Sequence, residues 1–272
     1  GLSTDRHTWE KKIKPLEAPF SMSTFRGNAG KTALEIYNGF SLSELADETK
    51  DQNIDIEKGL TIHNLAWQEI EKYQEKVSVP VRKSESYIDL YRFEVLPDSY
   101  HVAFYLRSLG TDLLGGWKYE KRIPDYSSPE LSISDIQLAT RIGPAINPGK
   151  FVKNGLVVIP NPIRLFALKD PVYIYFEIYH LTQDVKGNTS FIIEYTMTLL
   201  EQKKKGLFGL FGGGGKSSIT TQVQREGKGE LSVEYLAIDV SKLKAGEYDL
   251  VVKVIDQHGG KTVIQTRKIA LK

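Results

Sequence analysis

The 272-residue sequence contains no cysteine, which excludes thiol catalysis, cysteine-ligated metals and disulfide cross-links. It also lacks any apolar run of the ~18 residues that a membrane span needs. Its 36 Lys and Arg residues nearly balance 34 Asp and Glu residues, so the formal net charge is only +2. Without a strong positive field, nucleic acid is not an expected partner. Residues 1–17 are charged and do not resemble a signal peptide, so we expect the mature form of an exported protein.

The sequence is instead rich in aromatic residues, with 14 Tyr and 11 Phe. Short alternating apolar runs are separated by turn signals about every ten residues, which is typical of β-sandwiches. The best helical candidate is the short stretch Leu42–Lys50. The pattern predicts an all-β protein, and the length predicts two domains.

An internal repeat supports this organisation. Leu34–Tyr37 (LEIY) recurs as Phe176–Tyr179 (FEIY), an offset of 142 (177 minus 35), and the segment around Tyr100 recurs around Tyr248, an offset of 148 (248 minus 100). After each tyrosine comes a glycine pair that predicts a turn, followed by a final strand. These pairs and strands are Gly115–Gly116 with Trp117–Ile123, and Gly259–Gly260 with Thr262–Ala270.

Tyr100 and Tyr248 are each followed by alternating apolar residues. In immunoglobulin-like sandwiches, a tyrosine at this place forms a tyrosine corner, in which its hydroxyl group binds the backbone just upstream. We therefore predict two tandem immunoglobulin-like antiparallel β-sandwich domains with Tyr100 and Tyr248 as structural corners.

The repeat sets the domain boundaries. Residues 1–17 are predicted to be an N-terminal arm or linker, residues 18–127 the first domain and residues 128–272 the second. The second domain begins with a strand-like run, Leu131–Ile142, and carries insertions at 143–162 and 202–216. In the first insertion, Leu156–Ile159 followed by Pro160 predicts a strand at an edge or covering the sandwich.

Two motifs resemble ligand sites but fail on spacing. Gly212–Ser217 ends like a phosphate-binding loop, but Leu210 stands where the first glycine belongs, and a strand pattern follows where a helix is needed. Asp51–Asp55 resembles the start of a calcium loop, but Ile56 and Ile62 occupy its turn and bidentate positions. A solvated loop between strands is the favoured interpretation, with an irregular calcium site as the alternative. We expect no cofactor and no metal.

Other catalytic signatures are missing. The five histidines are dispersed, and His63 and His101 are expected on outward strand faces. Glu35 and Glu177 are repeat equivalents, so we expect them in different domains, as outward carboxylates that form no acid pair. The sequence therefore predicts a protein that is not an enzyme.

One loop is unusually apolar for an exposed segment. It joins a basic cluster to four large apolar residues and four glycines, and its candidate contact residues are Lys203, Lys204, Lys205, Leu207, Phe208, Leu210 and Phe211. These side chains could cover the protein's own core, contact a partner, or lie on a membrane surface.

The sequence resembles the β-rich region that follows the signature domain in the bacterial GWxTD-domain family. The matching segments are Arg6–Trp9, Phe25–Gly27, Leu131–Ala139, Val158–Pro162, Phe176–Tyr179 and Ala245–Tyr248. The signature itself is absent, because Leu2 stands where its tryptophan belongs and Gly116-Trp117 is followed by Lys-Tyr-Glu. The resemblance implies an exported bacterial protein in the periplasm, on the cell surface or secreted, and supplies no catalytic residues.

The expected function is binding or scaffolding in the cell envelope, with a protein or glycan as partner and self-association possible. Two alternatives remain open. The chain could hold substrate-orienting accessory domains of an exported hydrolase, or it could be a structural subunit of a surface assembly whose strand edges pair between copies.

Overall fold

A computed structural model describes residues 14–42, 53–80, 86–111, 113–200 and 217–272. The predicted all-β class with antiparallel sheets is confirmed. The described strands are β1 (Lys14–Pro15), β2 (Phe20–Arg26), β3 (Thr32–Ser41), β4 (Asn53–Asn64), β5 (Glu69–Pro80), β6 (Ser86–Val95), β7 (Ser99–Leu109), β8 (Leu113–Arg122), β9 (Ser132–Ile133), β10 (Gln137–Pro144), β11 (Val152–Lys153), β12 (Leu156–Pro160), β13 (Leu165–Phe166), β14 (Val172–Tyr179), β15 (Asn188–Leu199), β16 (Ser218–Lys228), β17 (Ser232–Ile238), β18 (Gly246–Asp256) and β19 (Thr262–Leu271).

The strand order repeats. One sheet runs β1-β8-β7-β4-β5, and a later sheet runs β13-β19-β18-β15-β16. In each, a two-residue strand pairs in parallel with the last strand of the repeat, while the other pairs are antiparallel. The remaining sheets are β2-β3-β6 and β11-β12-β10-β14-β17, so the LEIY strand β3 and the FEIY strand β14 hold equivalent central positions.

Some local expectations need correction. Gly259 and Gly260 lie in the turn between β18 and β19, as predicted, but Gly115 and Gly116 lie inside strand β8, paired with Leu106 and Tyr105. Gly115 is required by close packing, because a Cβ there would approach the Leu16 carbonyl oxygen at 2.6 Å.

Three other segments also differ from, or refine, the expectations. The run from Leu131 divides into β9 and β10, and Leu156–Pro160 forms β12 between β10 and the short β11. Asn53 and Asp55 of the calcium-like segment lie in β4 and not in a loop. Most of the helical candidate 42–50 lies outside the described residues.

The chain forms two compact units that are interleaved along the sequence. Unit 1 comprises residues 1–20, 38–89 and 97–123, and unit 2 comprises residues 21–37, 90–96 and 124–272. The sequence instead suggests one boundary near residue 127. The difference arises because Phe25 and Ala33 share a buried cluster with Ala139, Val158 and Tyr175 of the later strands.

In unit 1, the inward side chains of β4 and β7 alternate with outward ones and are almost completely buried; they include Ile56, Leu60, Ile62, Val102, Phe104 and Leu106. In unit 2, alternate residues of β14, β15, β18 and β19 build the main core, among them Val172, Ile174, Phe176, Phe191, Leu250, Val252 and Ile269. The opposite face of β14 is also covered, so all but one of its residues are buried.

Candidate functional site

A concave surface lies on the outer face of the unit 1 sheet, and we call it the sheet groove. It has a volume of about 630 Å³. Strands β5, β4, β7 and β8 form its floor, and the turn between β4 and β5 closes one end. The lining residues are Gly59, Leu60, Thr61, His63, Trp67, Lys72, Gln74, His101, Val102, Ala103, Phe104, Tyr105, Lys118, Tyr119 and Glu120.

Trp67 is the most distinctive residue of the sheet groove. Its side chain is 63% exposed, and its ring stacks on the His101 imidazole with centroids 4.1 Å apart and planes 10° apart. His101 in turn pairs across the strands with His63, whose ring centroid lies 6.1 Å from that of Trp67. Exposed large aromatic surface that is rigidly held is characteristic of binding sites.

The backbone of Trp67 is left-handed, with φ of 62°. The β4–β5 turn is fixed by Asn64, whose backbone carbonyl accepts from Trp67 N at 2.9 Å and whose side-chain Oδ1 accepts from Gln68 N at 2.9 Å. Short hairpin loops of this kind normally place glycine at the left-handed position. A tryptophan there costs about 1–2 kcal/mol of backbone strain.

The other end of the sheet groove is formed by Tyr105. Its ring lies over Gly59 on the neighbouring strand, where a Cβ would overlap the ring, and its hydroxyl donates to Glu57 at 3.2 Å. His101 and Tyr105 are four residues apart on β7, so the two aromatic ends are about 13 Å apart along the strand.

Hydrogen-bonding side chains line the groove between these ends. Thr61 on β4 pairs with Ala103 on β7 and with Lys72 on β5, which sets a small residue in the centre of the floor. Lys118 pairs with Ala103 from the other side, and Glu120 pairs with His101. The groove thus has an aromatic residue at each end. Between the ends it has positively charged hydrogen-bond donors and a negatively charged acceptor.

The two repeat glutamates form a second polar cluster, inside unit 2, which we call the glutamate cluster. The sequence predicts Glu35 and Glu177 in different domains as outward carboxylates, and both predictions are wrong. Glu35 is 1% exposed and Glu177 is 8% exposed, and both belong to unit 2. The reason is that other strands of unit 2 cover the outer faces of β3 and β14, which sequence periodicity alone does not reveal.

Each glutamate is held by three donors. Glu35 accepts from Tyr37 Oη at 2.5 Å, Lys153 Nζ at 2.7 Å and Arg92 Nη1 at 3.1 Å. Glu177 accepts from three groups, which are Tyr175 Oη at 2.5 Å, Tyr179 Oη at 2.7 Å and Asn154 Nδ2 at 2.9 Å. The same glutamate-to-tyrosine contact therefore recurs in LEIY and FEIY.

The insertion at 143–162 supplies a partner to each glutamate through the adjacent residues Lys153 and Asn154. The Lys153 ammonium lies 3.7 Å from the Phe25 ring centroid and 4.6 Å from that of Tyr175. Burial lowers the pKa of Lys153, and the charge of Glu35 opposes this shift. Burial, with the charge of Glu177, raises the pKa of Tyr175 and Tyr179, which keeps both hydroxyls protonated as donors. The buried carboxylate of Glu177 is thus surrounded by donors that hold their protons.

The remaining predicted site residues are placed as follows. Tyr248 is buried, and its hydroxyl donates to the Lys244 carbonyl oxygen at 2.9 Å, which is the geometry of a tyrosine corner. Tyr100 is 5% exposed, and burial with the charge of Asp98 raises the pKa of its hydroxyl. The predicted contact loop, Lys203 to Phe211, lies outside the described residues.

Within the described ranges, no three His, Asp or Glu side chains are grouped so that they could bind a metal ion. No helix in the described part of the chain is long and apolar enough to cross a membrane. The sequence does not reveal the sheet groove, because His63 and His101 become neighbours only through the pairing of β4 with β7. The only sign of the groove in the sequence is that both histidines are expected on outward strand faces.

No protein-family model matches the chain, and no curated protein matches it. Membership in the GWxTD-domain family therefore stays a prediction. Among solved structures, the chain is similar to trypsin-activated alpha-2-macroglobulin from Escherichia coli, with 10% identity and a TM-score of 0.28 over 96% of this chain and 16% of that one. It is also similar to the native conformation of E. coli alpha-2-macroglobulin, with 12% identity and a TM-score of 0.27 over 96% of this chain and 15% of that one. The chain thus spans about one sixth of these proteins, and likenesses this weak carry no functional argument.

Proposed function

We propose that this chain is a non-catalytic glycan-binding protein of an extracytoplasmic compartment, and that the sheet groove of unit 1 binds an oligosaccharide. The observation that carries the proposal is Trp67, an exposed tryptophan held in a left-handed backbone and stacked on His101 at the end of this groove. The extracytoplasmic location and the lack of enzymatic turnover are parts of the proposal supported by the GWxTD resemblance.

The chemistry of the groove fits a sugar chain. A pyranose ring has an apolar face of C–H groups, which packs on aromatic rings, and a rim of hydroxyls, which need donors and acceptors. Trp67 and Tyr105 offer aromatic surface at the two ends, while Lys72, Lys118 and Glu120 offer donors and an acceptor between them. Mostly apolar sites with a few directed polar groups are typical of small-ligand binding.

The topology argues against an extended peptide as the occupant. Peptides that bind sheets usually add as a strand at an exposed edge, using backbone hydrogen bonds. Strands β4 and β7 each already pair with a neighbour on both sides, so their backbone groups in the floor are used within the sheet. Recognition in the groove must therefore come from side chains, which is how sugar hydroxyls and C–H faces are recognised.

The backbone strain of Trp67 supports a functional origin. Stacking on His101 contributes about 0.5–1.5 kcal/mol, which is similar in size to the strain of about 1–2 kcal/mol. Glycine at this position would relieve that strain. It would also lower the free energy of unfolding by about 0.4–1 kcal/mol, because it increases the conformational entropy of the unfolded chain. The tryptophan therefore brings folding little net advantage, whereas it brings a ligand an aromatic platform.

The test is a titration of the protein with soluble oligosaccharides of neutral, amino and uronic acid sugars, followed by calorimetry and tryptophan fluorescence. We expect at least one class to bind, and Trp67→Gly to weaken that binding at least tenfold while the free energy of unfolding stays within about 1 kcal/mol of the parent. Tyr235→Ala is the matched control, because Tyr235 is an aromatic residue of β17 that is 47% exposed and does not line the groove.

Two results would contradict the proposal. One is the absence of binding to every sugar class at millimolar concentration. The other is a ligand that binds Trp67→Gly as tightly as the parent, because the aromatic end of the groove would then play no part.

A further inference from the structure

The core of unit 1 contains a buried pair of opposite charges that the glycan-binding function does not use. Lys58 lies on the inward face of β4 between the core residues Ile56 and Leu60, and its side chain is 1% exposed. Its Nζ contacts the Oδ2 of Asp89 on β6, whose side chain is also 1% exposed. The inward row of β4 is otherwise apolar, so a lysine there is exceptional.

Two further polar groups complete this cluster. Glu75 Oε2 lies 3.1 Å from Lys58 Nζ, and its side chain is 40% exposed, which connects the pair to solvent. The Tyr87 hydroxyl lies 3.0 Å from Lys58 Nζ and donates to Asp89 Oδ2 at 3.2 Å. The Tyr87 ring packs on Phe40 with centroids 5.0 Å apart, so its hydroxyl is held in place.

A buried ion pair of this kind is costly to maintain. Removing an ammonium and a carboxylate from water costs several kcal/mol each, and their attraction repays this only in part. Burial therefore favours the neutral amine and the neutral carboxylic acid, which a proton transfer within the contact produces. A neutral amine and a carboxylic acid are the two reactants of amide formation, and here they are already in contact.

We propose that Lys58 and Asp89 condense to an intramolecular amide, an isopeptide bond between Nζ of Lys58 and Cγ of Asp89. The Nζ–Cγ bond forms and one Cγ–O bond breaks. Of the three ammonium protons, one stays on the amide nitrogen and two leave with the released oxygen as water. The reaction is neither an oxidation nor a reduction and needs no other reactant.

Glu75 and Tyr87 have defined roles in this step. The hydrogen bond from Tyr73 lowers the pKa of Glu75, so its carboxylate is available to take a proton from Nζ and pass it to the departing oxygen. The Tyr87 hydroxyl donates to the Asp89 oxygen on which negative charge develops when Nζ attacks Cγ. Both groups touch the reacting atoms.

The bond would join strands of different sheets. Lys58 belongs to the five-stranded sheet through β4, and Asp89 lies on β6, 31 residues later in the chain. Replacing two buried charges with one amide removes the desolvation cost and fixes this part of unit 1 covalently. Such a cross-link gives a chain without cysteine a covalent brace.

The intact mass of the purified full chain under denaturing conditions tests the proposal. We expect a mass lower than that of the sequence by one water molecule. Peptide mapping is expected to show a branched peptide that joins the segments around Lys58 and Asp89, with no tryptic cleavage after Lys58. Lys58→Met and Asp89→Ala are expected to have the full masses of their sequences, and this measurement holds even for a variant that does not fold.

Glu75→Gln separates a catalytic role from a purely structural one. We expect this variant to fold and to form the bond at least tenfold more slowly, measured as the fraction of chains that have lost water at successive times after synthesis. Exposed Glu69 on the same strand provides the control, and Glu69→Gln is expected to match the parent. A parent protein with the full sequence mass would overturn the proposal, as would a water loss that maps to any other pair of residues.

Discussion

Replacing Glu177 with alanine tests whether the glutamate cluster stabilises unit 2. The change leaves the hydroxyls of Tyr175 and Tyr179 without their acceptor. The side-chain amide of Asn154 loses one of its two acceptors and keeps the Tyr175 hydroxyl oxygen at 2.6 Å. Each buried donor that loses its acceptor costs about 1–3 kcal/mol. Some of this is recovered, because water can enter the space left by the carboxylate. We therefore expect Glu177→Ala to lower the free energy of unfolding by about 3–5 kcal/mol.

Glu177→Gln distinguishes lost hydrogen bonding from lost volume. Glutamine has nearly the same shape and keeps one acceptor oxygen, so the expected cost is about 1–2 kcal/mol. Glu226→Ala serves as the control, because Glu226 is an exposed carboxylate on β16, and a change within about 0.5 kcal/mol is expected.

Urea unfolding followed by circular dichroism measures these differences, and hydrogen exchange of the β14 amides shows whether the loss lies in unit 2. If Glu177→Ala and Glu226→Ala destabilise the protein equally, or if Glu177→Ala costs less than about 1 kcal/mol, the hydrogen bonds of the cluster do not stabilise the unit and the reasoning fails.

Two further predictions concern pH and the shape of the sheet groove. Burial raises the pKa of the Tyr37, Tyr175 and Tyr179 hydroxyls above 10.0, so the folded protein keeps protons that the unfolded chain loses, and the free energy of unfolding is expected to fall as the pH rises above about 10. Urea unfolding at a series of alkaline pH values checks this, and constant stability across that range would contradict it. Gly59→Ala is expected to push the Tyr105 ring away from the strand and weaken oligosaccharide binding several-fold, with a stability change of about 1 kcal/mol or less because the ring can swing outward. Calorimetry with Gly143→Ala as the control, where a Cβ meets nothing within 4 Å, measures the effect, and unchanged binding would show that the ring position does not matter.

Local patterns in the sequence account for much of the fold. Alternation of apolar residues predicts the strands after Tyr100 and Tyr248, and the glycine pair at 259–260 predicts the turn before β19. The matching LEIY and FEIY segments predict a repeat, and they occupy equivalent central strands. The same reasoning fails at Gly115 and Gly116, because a glycine that permits close packing inside a strand has the same sequence signal as one that permits a turn.

The sequence by itself therefore determined the all-β class, the presence of an internal repeat and the absence of thiol chemistry, because these depend on residue types and on spacing along the chain. Only the tertiary structure decided which strand faces are covered and which side chains meet. The alternation of residues along a strand shows which residues share a face of the sheet, but it does not show what packs against that face. For this reason, the burial of Glu35 and Glu177, the meeting of Lys58 with Asp89, and the stack of Trp67 on His101 became visible only when strands distant in sequence were in register.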